Sequence, residues 1–298
     1  GEQAPAGFNG PTIPAGAKRI VCMASSYIAM FDALGQVDKI VGVSGIDYVS
    51  NPYILAHKNS IKDMGPEMNY ELLLGLKPDV VLLYGIGDAQ TAVTDKLKEL
   101  YIPYMYVGEY LEESPLGKAE WLVALAELTD SREKGIEIFR EIPKRYQVLK
   151  ALTESVEQRP TVMLNTPWND SWVMPSTQSY MAQLVTDAGA DYIYKENTSN
   201  SSTPIGLETA YKLIQKADYW INVGMASTLD ELKTVNPKFV DAKAVREKTV
   251  YNLRTTPTGG NDYWESAVVR PDVVLRDLIH IFHPELVSDS LYYYRHLE

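Results

Sequence analysis

Apolar residues fall into short, nearly unbroken runs separated by stretches of helical period, and this alternation predicts the architecture. Residues 18–23, 39–43, 79–84 (D-V-V-L-L-Y) and 103–107 read as strands, and 27–34, Tyr70–Leu76 and 88–100 as helices between them. Strands without a polar face, separated by helices, make parallel sheets covered on both sides. Residues 117–156 keep a helical period for about forty positions, with a break near Thr129-Asp130-Ser131 and a kink expected at Pro143. The alternation then resumes. Strands are expected at 161–165, 219–223 and 248–253, and helices at 179–188, 207–216 and Pro271–Phe282.

The expected fold class is therefore α/β: two Rossmann-like α/β lobes joined by a single long linker helix, with a ligand cleft between the lobes. The expected boundaries are a flexible N-terminal segment (1–17), an N-terminal lobe (18–128), the linker helix (129–158) and a C-terminal lobe (159–298).

Length supports this division, since 298 residues exceed one ordinary domain. Net charge is −11 without a basic run, which argues against nucleic acid or anionic membrane surfaces as partners. No apolar run reaches the ~18 residues of a membrane helix. Gly1 to Gly7 is small, polar and unpatterned, as expected of a mature terminus or of a cloning scar after a leader was removed. The single cysteine, Cys22, lies in an apolar run and reads as a buried strand residue, so neither a disulfide within the chain nor a thiolate cluster is expected.

Ligands of open α/β sheets bind beyond the carboxyl ends of the strands. The segments there contain Tyr27 (Ala24-Ser25-Ser26-Tyr27), Tyr48 (Gly45-Ile46-Asp47-Tyr48), Tyr84 before Gly85-Ile86-Gly87-Asp88, Trp168 and Trp172 (166–172), and Arg254, Asn261 and Trp264 (254–264). Trp168, Trp172 and Trp264 each follow an expected strand among turn-forming residues. Aromatic segments with few fixed charges suit a large, partly apolar ligand better than a bare ion.

The strings Arg19 to Ser44 and Met68-Asn69-Tyr70-Glu71-Leu72-Leu73-Leu74-Gly75-Leu76-Lys77-Pro78-Asp79-Val80-Val81 resemble the substrate-binding proteins of ABC importers for cobalamin, haem and ferric siderophores. Residues 179–189, Gly206-Leu207-Glu208 and 261–271 extend the likeness over almost the whole chain. The resemblance implies a non-enzymatic, monomeric receptor, periplasmic or on the cell surface, with any lipid anchor upstream of Gly1. Its partner would be an ABC permease, docked through Glu71 and Glu208. The ligand would be a metal chelate, with no resident cofactor or metal. Tyr48, Tyr84, Trp172 and Trp264 match ligand-facing positions of the cobalamin binders, with Asn261, Arg254 and Arg270 as polar contacts. Gly65-Pro66-Glu67 departs from those binders, which carry a tryptophan there.

Only Arg254 and Arg270 lie in expected cleft segments, which favours a neutral or weakly charged chelate over a highly anionic one. Two other classes stay open. A receptor for free Zn²⁺ or Mn²⁺ would need histidine and carboxylate ligands, and His280 and His283 are spaced i,i+3 on one helix. For an enzyme, the sequence lacks a G-x-S-x-G elbow, a phosphate loop and an H-E-x-x-H string, and Gly85-Ile86-Gly87 is a fragment of a dinucleotide fingerprint; a serine triad, whose members meet in space and not along the chain, stays open.

Overall fold

In a computed structural model, which describes residues 6–7, 12–65, 67–85, 90–256 and 259–298, the chain divides into two units. The first comprises Gly1–Gly108 and Trp121–Ile138, the second Glu109–Glu120 and Phe139–Glu298. The helical stretch is two helices, Pro115–Leu128 and the twenty-residue Arg132–Ala151, which contains Pro143 and passes from one unit to the other at Ile138.

The first unit carries a sheet of β1 (Ile20–Cys22), β2 (Ile40–Val43), β3 (Lys62–Asp63), β4 (Val80–Leu83) and β5 (Tyr104–Tyr106), in the order β3-β2-β1-β4-β5 with every pairing parallel. β1 and β4 are buried at every position, as strands covered on both faces must be. Cys22 is buried in β1, and burial pushes its thiol well above the usual range. Helix Tyr70–Leu76 starts where the Asn69 side chain accepts the Leu72 amide at 2.9 Å. It stops at Lys77, whose φ of +47° and following Pro78 end the helical path.

The second unit has a sheet in the order β12-β11-β10-β6-β8: β6 (Thr161–Leu164), β8 (Asp191–Tyr192), β10 (Tyr219–Ile221) and β11 (Val250–Leu253) run parallel, and β12 (Tyr294–His296) is antiparallel at the edge. A separate antiparallel pair joins β7 (Ser171–Met174) to β9 (Thr203–Gly206). Trp172 of β7, Trp220 of β10 and Phe239 meet in the core, with ring centroids 5.3–6.5 Å apart.

Two expectations are corrected here. Tyr27 is not a loop residue facing ligand: it lies in the first turn of helix Ser25–Ala33, fully buried, and its hydroxyl donates to the carbonyls of Leu83 and Val107 at 3.3 and 3.2 Å. Trp172 is also core, at 0% exposure, with Nε1 donating to Leu164 O at 2.8 Å. The strand alternation turns Trp172 and Met174 inward and leaves Val173 outside.

Candidate functional site

In the second unit, a cavity of about 370 Å³ opens beyond the carboxyl ends of β6 and β10. Asn165 and Asn222 are the first residues after these strands, both in the left-handed region (φ +66° and +60°) that asparagine tolerates better than other side chains. They sit side by side because β6 and β10 pair Leu164 with Ile221, and the Asn165 amide donates to Ile221 O at 3.0 Å. Trp220 Nε1 donates to Asn165 O at 2.6 Å, and Asn252 Nδ2 holds the carbonyls of Gly224 and Ala226 at 2.9 and 2.8 Å. Both asparagines therefore stand on a pinned backbone.

Three further segments complete the wall. Helix Tyr180–Asp187, capped by Ser179 Oγ accepting the Ala182 amide, contributes Tyr180 and Met181. Helix Tyr263–Ser266 contributes Tyr263 and Trp264, and its start is braced by Asn261 Oδ1, which accepts the Tyr263 amide at 3.0 Å. Tyr110, Leu111, Glu112 and Glu113 line the cavity from the 109–120 segment, and Asn200, Ser201 and Ser202 from the loop before β9.

The phenols are held neutral. Burial pushes Tyr180 up, with the hydrogen bond from Tyr263 pulling the other way, and burial with neighbouring Tyr180 and Tyr294 pushes Tyr263 well above the usual range. Tyr263 Oη donates to Met181 Sδ at 3.5 Å. Lys118 Nζ lies 4.2 Å over the Tyr180 ring, a cation–π contact, and burial lowers its pKa although Glu109 and Glu112 act against that shift. The chamber is thus aromatic and amide-lined, with carboxylates on one wall.

Of the residues expected from sequence to meet ligand, Trp264 lines this cavity at 59% exposure. Trp168, 77% exposed, follows β6 on a tight turn in which it and Ser171 exchange backbone hydrogen bonds. In the first unit, Tyr48 and Tyr84 are exposed beyond β2 and β4. Tyr48 stands on a loop tied down by Asp63 Oδ1, which accepts from the amides of Gly45 and Gly65 at 2.9 and 2.8 Å. Asn261 braces the site rather than lining it. Neither arginine lines the cavity: Arg254 reaches Leu291 O at 3.3 Å, and Arg270 stacks 4.5 Å over the Tyr292 ring. Ile86, Gly87 and Asp88 lie outside the described residues.

Asn165, Tyr180, Met181 and Asn222 were not singled out from sequence, whereas Tyr110 and Tyr263 lie in segments expected beyond strand ends without being named as contacts. Their one shared sequence signal is a place just after a strand or in the first turn of a helix.

A groove of about 790 Å³ lies at the opposite, amino-terminal ends of β6 and β10, around Arg159, Asp218 and His283. Its polar groups serve the fold: Asp218 binds Thr161 and Lys243, and His283 Nε2 meets Gly189 O at 2.9 Å. His280 Nδ1 faces Val287 O at 2.9 Å, so His280 and His283 are directed at different carbonyls. Among the described residues, no three His, Cys, Asp or Glu side chains gather in a metal-sized group.

An uncharacterised lipoprotein of Methanocaldococcus jannaschii is 27% identical over 280 residues, covering 90% of this chain and 65% of its own length. Among solved structures, a possible iron-binding, periplasmic solute-binding protein of Staphylococcus epidermidis superposes with a TM-score of 0.70 at 19% identity, over 90% of this chain and 99% of its own. A periplasmic heme-binding protein of Pseudomonas aeruginosa gives 0.69 at 18% identity, over 90% and 93%. These likenesses show a shared fold. The family model for periplasmic binding proteins matches residues 20–257, and the chain belongs to that family.

Proposed function

We propose that the protein is the solute receptor of an ABC importer, that it captures a metal chelate, and that the cavity of the second unit grips one edge of that ligand. The observation that carries this reading is the chamber itself, whose lining brings Tyr110, Tyr180, Tyr263 and Trp264 together with Asn165 and Asn222 beyond the strand ends. Its volume of about 370 Å³ is in the ordinary range for a small-molecule site, roughly 300–1,000 Å³. Aromatic walls recognise a flat or partly apolar body, and carboxamides read its polar edge.

Neutral and cationic chelates are favoured over highly anionic ones. Multiply charged anions are usually met by arginine, and here the two candidate arginines are engaged elsewhere while Glu112 and Glu113 stand on the wall. The heme and iron binding named for the two solved structures fits a metal chelate as the ligand class. The lipoprotein name of the archaeal relative fits a receptor held at a membrane surface by a lipid. Delivery to a permease through Glu71 and Glu208 completes the reading.

The test is a thermal-shift and calorimetric panel of cobalamin, cobinamide, haemin and ferric siderophores of graded charge. A ligand at ~100 times its Kd adds about 2.7 kcal/mol to the folded state, enough to move Tm by several degrees. One-to-one binding of a neutral or cationic chelate is expected. Selective binding of trianionic ferric catecholates would reject the charge preference, and turnover of a substrate would reject the receptor role.

A further inference from the structure

The two most exposed large apolar side chains described in the second unit, Met225 at 82% and Trp168 at 77%, stand on neighbouring loops beyond β10 and β6. The loops touch: a Cβ on Gly224, whose φ is +69°, would stand 3.2 Å from Thr166 Oγ1. Both mounts are rigid. Trp168 and Ser171 exchange backbone hydrogen bonds across a tight turn in which Asn169 takes a φ of +54°. Met225 sits between Gly224 and Ala226, and buried Asn252 holds the carbonyls of both through Nδ2. Neither Trp168 nor Met225 lines the cavity. Large apolar groups fixed outward add nothing to the core, and they bind a partner without the cost of ordering a loop.

Carboxylates flank the pair. Asp170 is exposed in the same turn as Trp168, and its side chain has no hydrogen-bond or ion-pair partner among the described residues. The β7–β9 register sets Ser171 opposite Gly206, so helix Leu207–Ile214 starts at the end of the pair that carries the Trp168 turn, and Glu208 lies in its first turn. The Glu208 side chain is 84% exposed, and its ion pair with Lys212 is one that a partner's cation can replace.

We propose that Trp168, Asp170 and Met225 extend the permease-docking surface around Glu208, and that the permease presents a basic segment flanked by apolar side chains. An arginine suits the site best, because its guanidinium pairs with carboxylates and stacks on an indole face. A second copy of this chain suits it poorly, since each copy carries a net charge of −11. The proposal rests on docking through Glu208, and it assigns Trp168 to the permease instead of the chelate.

Binding of the chelate-free receptor to its permease in lipid nanodiscs tests this without knowledge of the ligand. Wild type is compared with Trp168→Ala, Trp168→Phe, Asp170→Lys, Met225→Ser and Glu208→Gln by interferometry, at about 50 and about 300 mM salt. Each variant is first shown to melt within ~2 °C of wild type, as substitutions of exposed side chains should. Trp168→Ala is expected to raise the permease Kd about tenfold, and Trp168→Phe about threefold because the phenyl face holds a cation more weakly. Met225→Ser should raise it about threefold. Asp170→Lys should raise it about tenfold or more at the lower salt and less at the higher. Affinity of Trp168→Ala for the member of the chelate panel that the wild type binds should be unchanged.

The assignment is overturned if Glu208→Gln weakens permease binding while Trp168→Ala and Asp170→Lys do not. It is overturned equally if Trp168→Ala loses chelate affinity with permease binding intact, or if sedimentation shows wild type pairing with itself through Trp168. No binding by the wild type, or no loss in any variant including Glu208→Gln, would overturn the docking reading itself and this extension with it.

Discussion

Asp218 Oδ2 accepts hydrogen bonds from both the amide and the hydroxyl of Thr161, at 2.7 and 2.8 Å, fastening the start of β10 to the start of β6. The first unit repeats the device: Asp79 Oδ2 takes the amides of Lys18 and Arg19 at 2.7 and 2.9 Å and so fastens β4 to β1. Burial works against the charge of Asp218, but Lys243 and the Thr161 donors outweigh it and hold the carboxyl below the usual range. A carboxyl so depressed stabilises the fold above its unfolded value of ~4 and loses that contribution as pH falls through the folded value. Asp218→Ala should therefore cost about 1–3 kcal/mol near neutrality. Urea midpoints at pH 7 and pH 3 check this, because the gap between variant and wild type should narrow in acid.

Trp172 and Trp264 should separate stability from binding. Trp172→Ala removes a fully buried ring packed on Trp220 and Phe239 and should cost about 3–5 kcal/mol, lowering Tm by roughly 10 °C while the folded fraction keeps its affinity. Trp264→Ala, at the cavity wall, should leave Tm within a degree or two and raise the chelate Kd about three- to tenfold. Paired melts and titrations decide. A Trp172 variant that melts normally but loses affinity would return that residue to the site.

Legibility followed the range over which each feature is determined. Helices Tyr70–Leu76 and Pro271–Phe282 have the bounds expected from sequence because their ends are local: Asn69 and Lys77-Pro78 in one case, Pro271 at the first turn in the other. The buried strands were legible as unbroken apolar runs. The β7–β9 pair was not, because Ser171–Met174 and Thr203–Gly206 are short, mixed segments whose structure comes from pairing residues 29 to 35 positions apart, and Pro204 weakens any strand signal in the second. That omission misplaced Trp172, whose flanking turn residues suggested a loop until the inward phase of β7 was known. Asn165 and Asn222 escaped for a related reason. An asparagine after a strand is ordinary, and only the β6–β10 register makes the two a pair.

Glu71 and Glu208 both lie, exposed, in the first turns of helices Tyr70–Leu76 and Leu207–Ile214. Glu208 pairs with Lys212 at 2.7 Å across one helical turn, an exposed contact of little worth to the fold, and Glu71 borders a shallow groove with Lys62, Leu72 and Gly75. Glu71→Gln with Glu208→Gln should move Tm by less than ~2 °C and leave chelate affinity intact. In vesicles carrying the cognate permease, uptake should fall at least tenfold. Normal uptake would remove both residues from the docking surface, and a changed Kd would show that they serve the ligand instead.

Asn197 controls a cavity wall from behind. It is 5% exposed, and its Nδ2 donates to Met174 O and Ser201 O at 3.3 and 2.8 Å while its Oδ1 accepts the Ser199 amide and hydroxyl at 3.2 and 2.6 Å. Its own carbonyl takes the Thr177 amide at 2.8 Å, so one residue ties the loop bearing Asn200, Ser201 and Ser202 to the segment after β7. Asn197→Ala removes four side-chain hydrogen bonds at once and should cost about 2 kcal/mol, since the loop can rehydrate some of the groups it frees. The loss should be local. Amide exchange should accelerate at 198–202 and stay unchanged in β6 and β10, and chelate affinity should fall several-fold because the wall is no longer preformed. Asn197→Asp keeps the acceptors and loses the two donations, so it should fall between alanine and wild type in both readouts. If exchange accelerates at 198–202 while affinity holds, the loop is a wall of the cavity but no part of the ligand's seat.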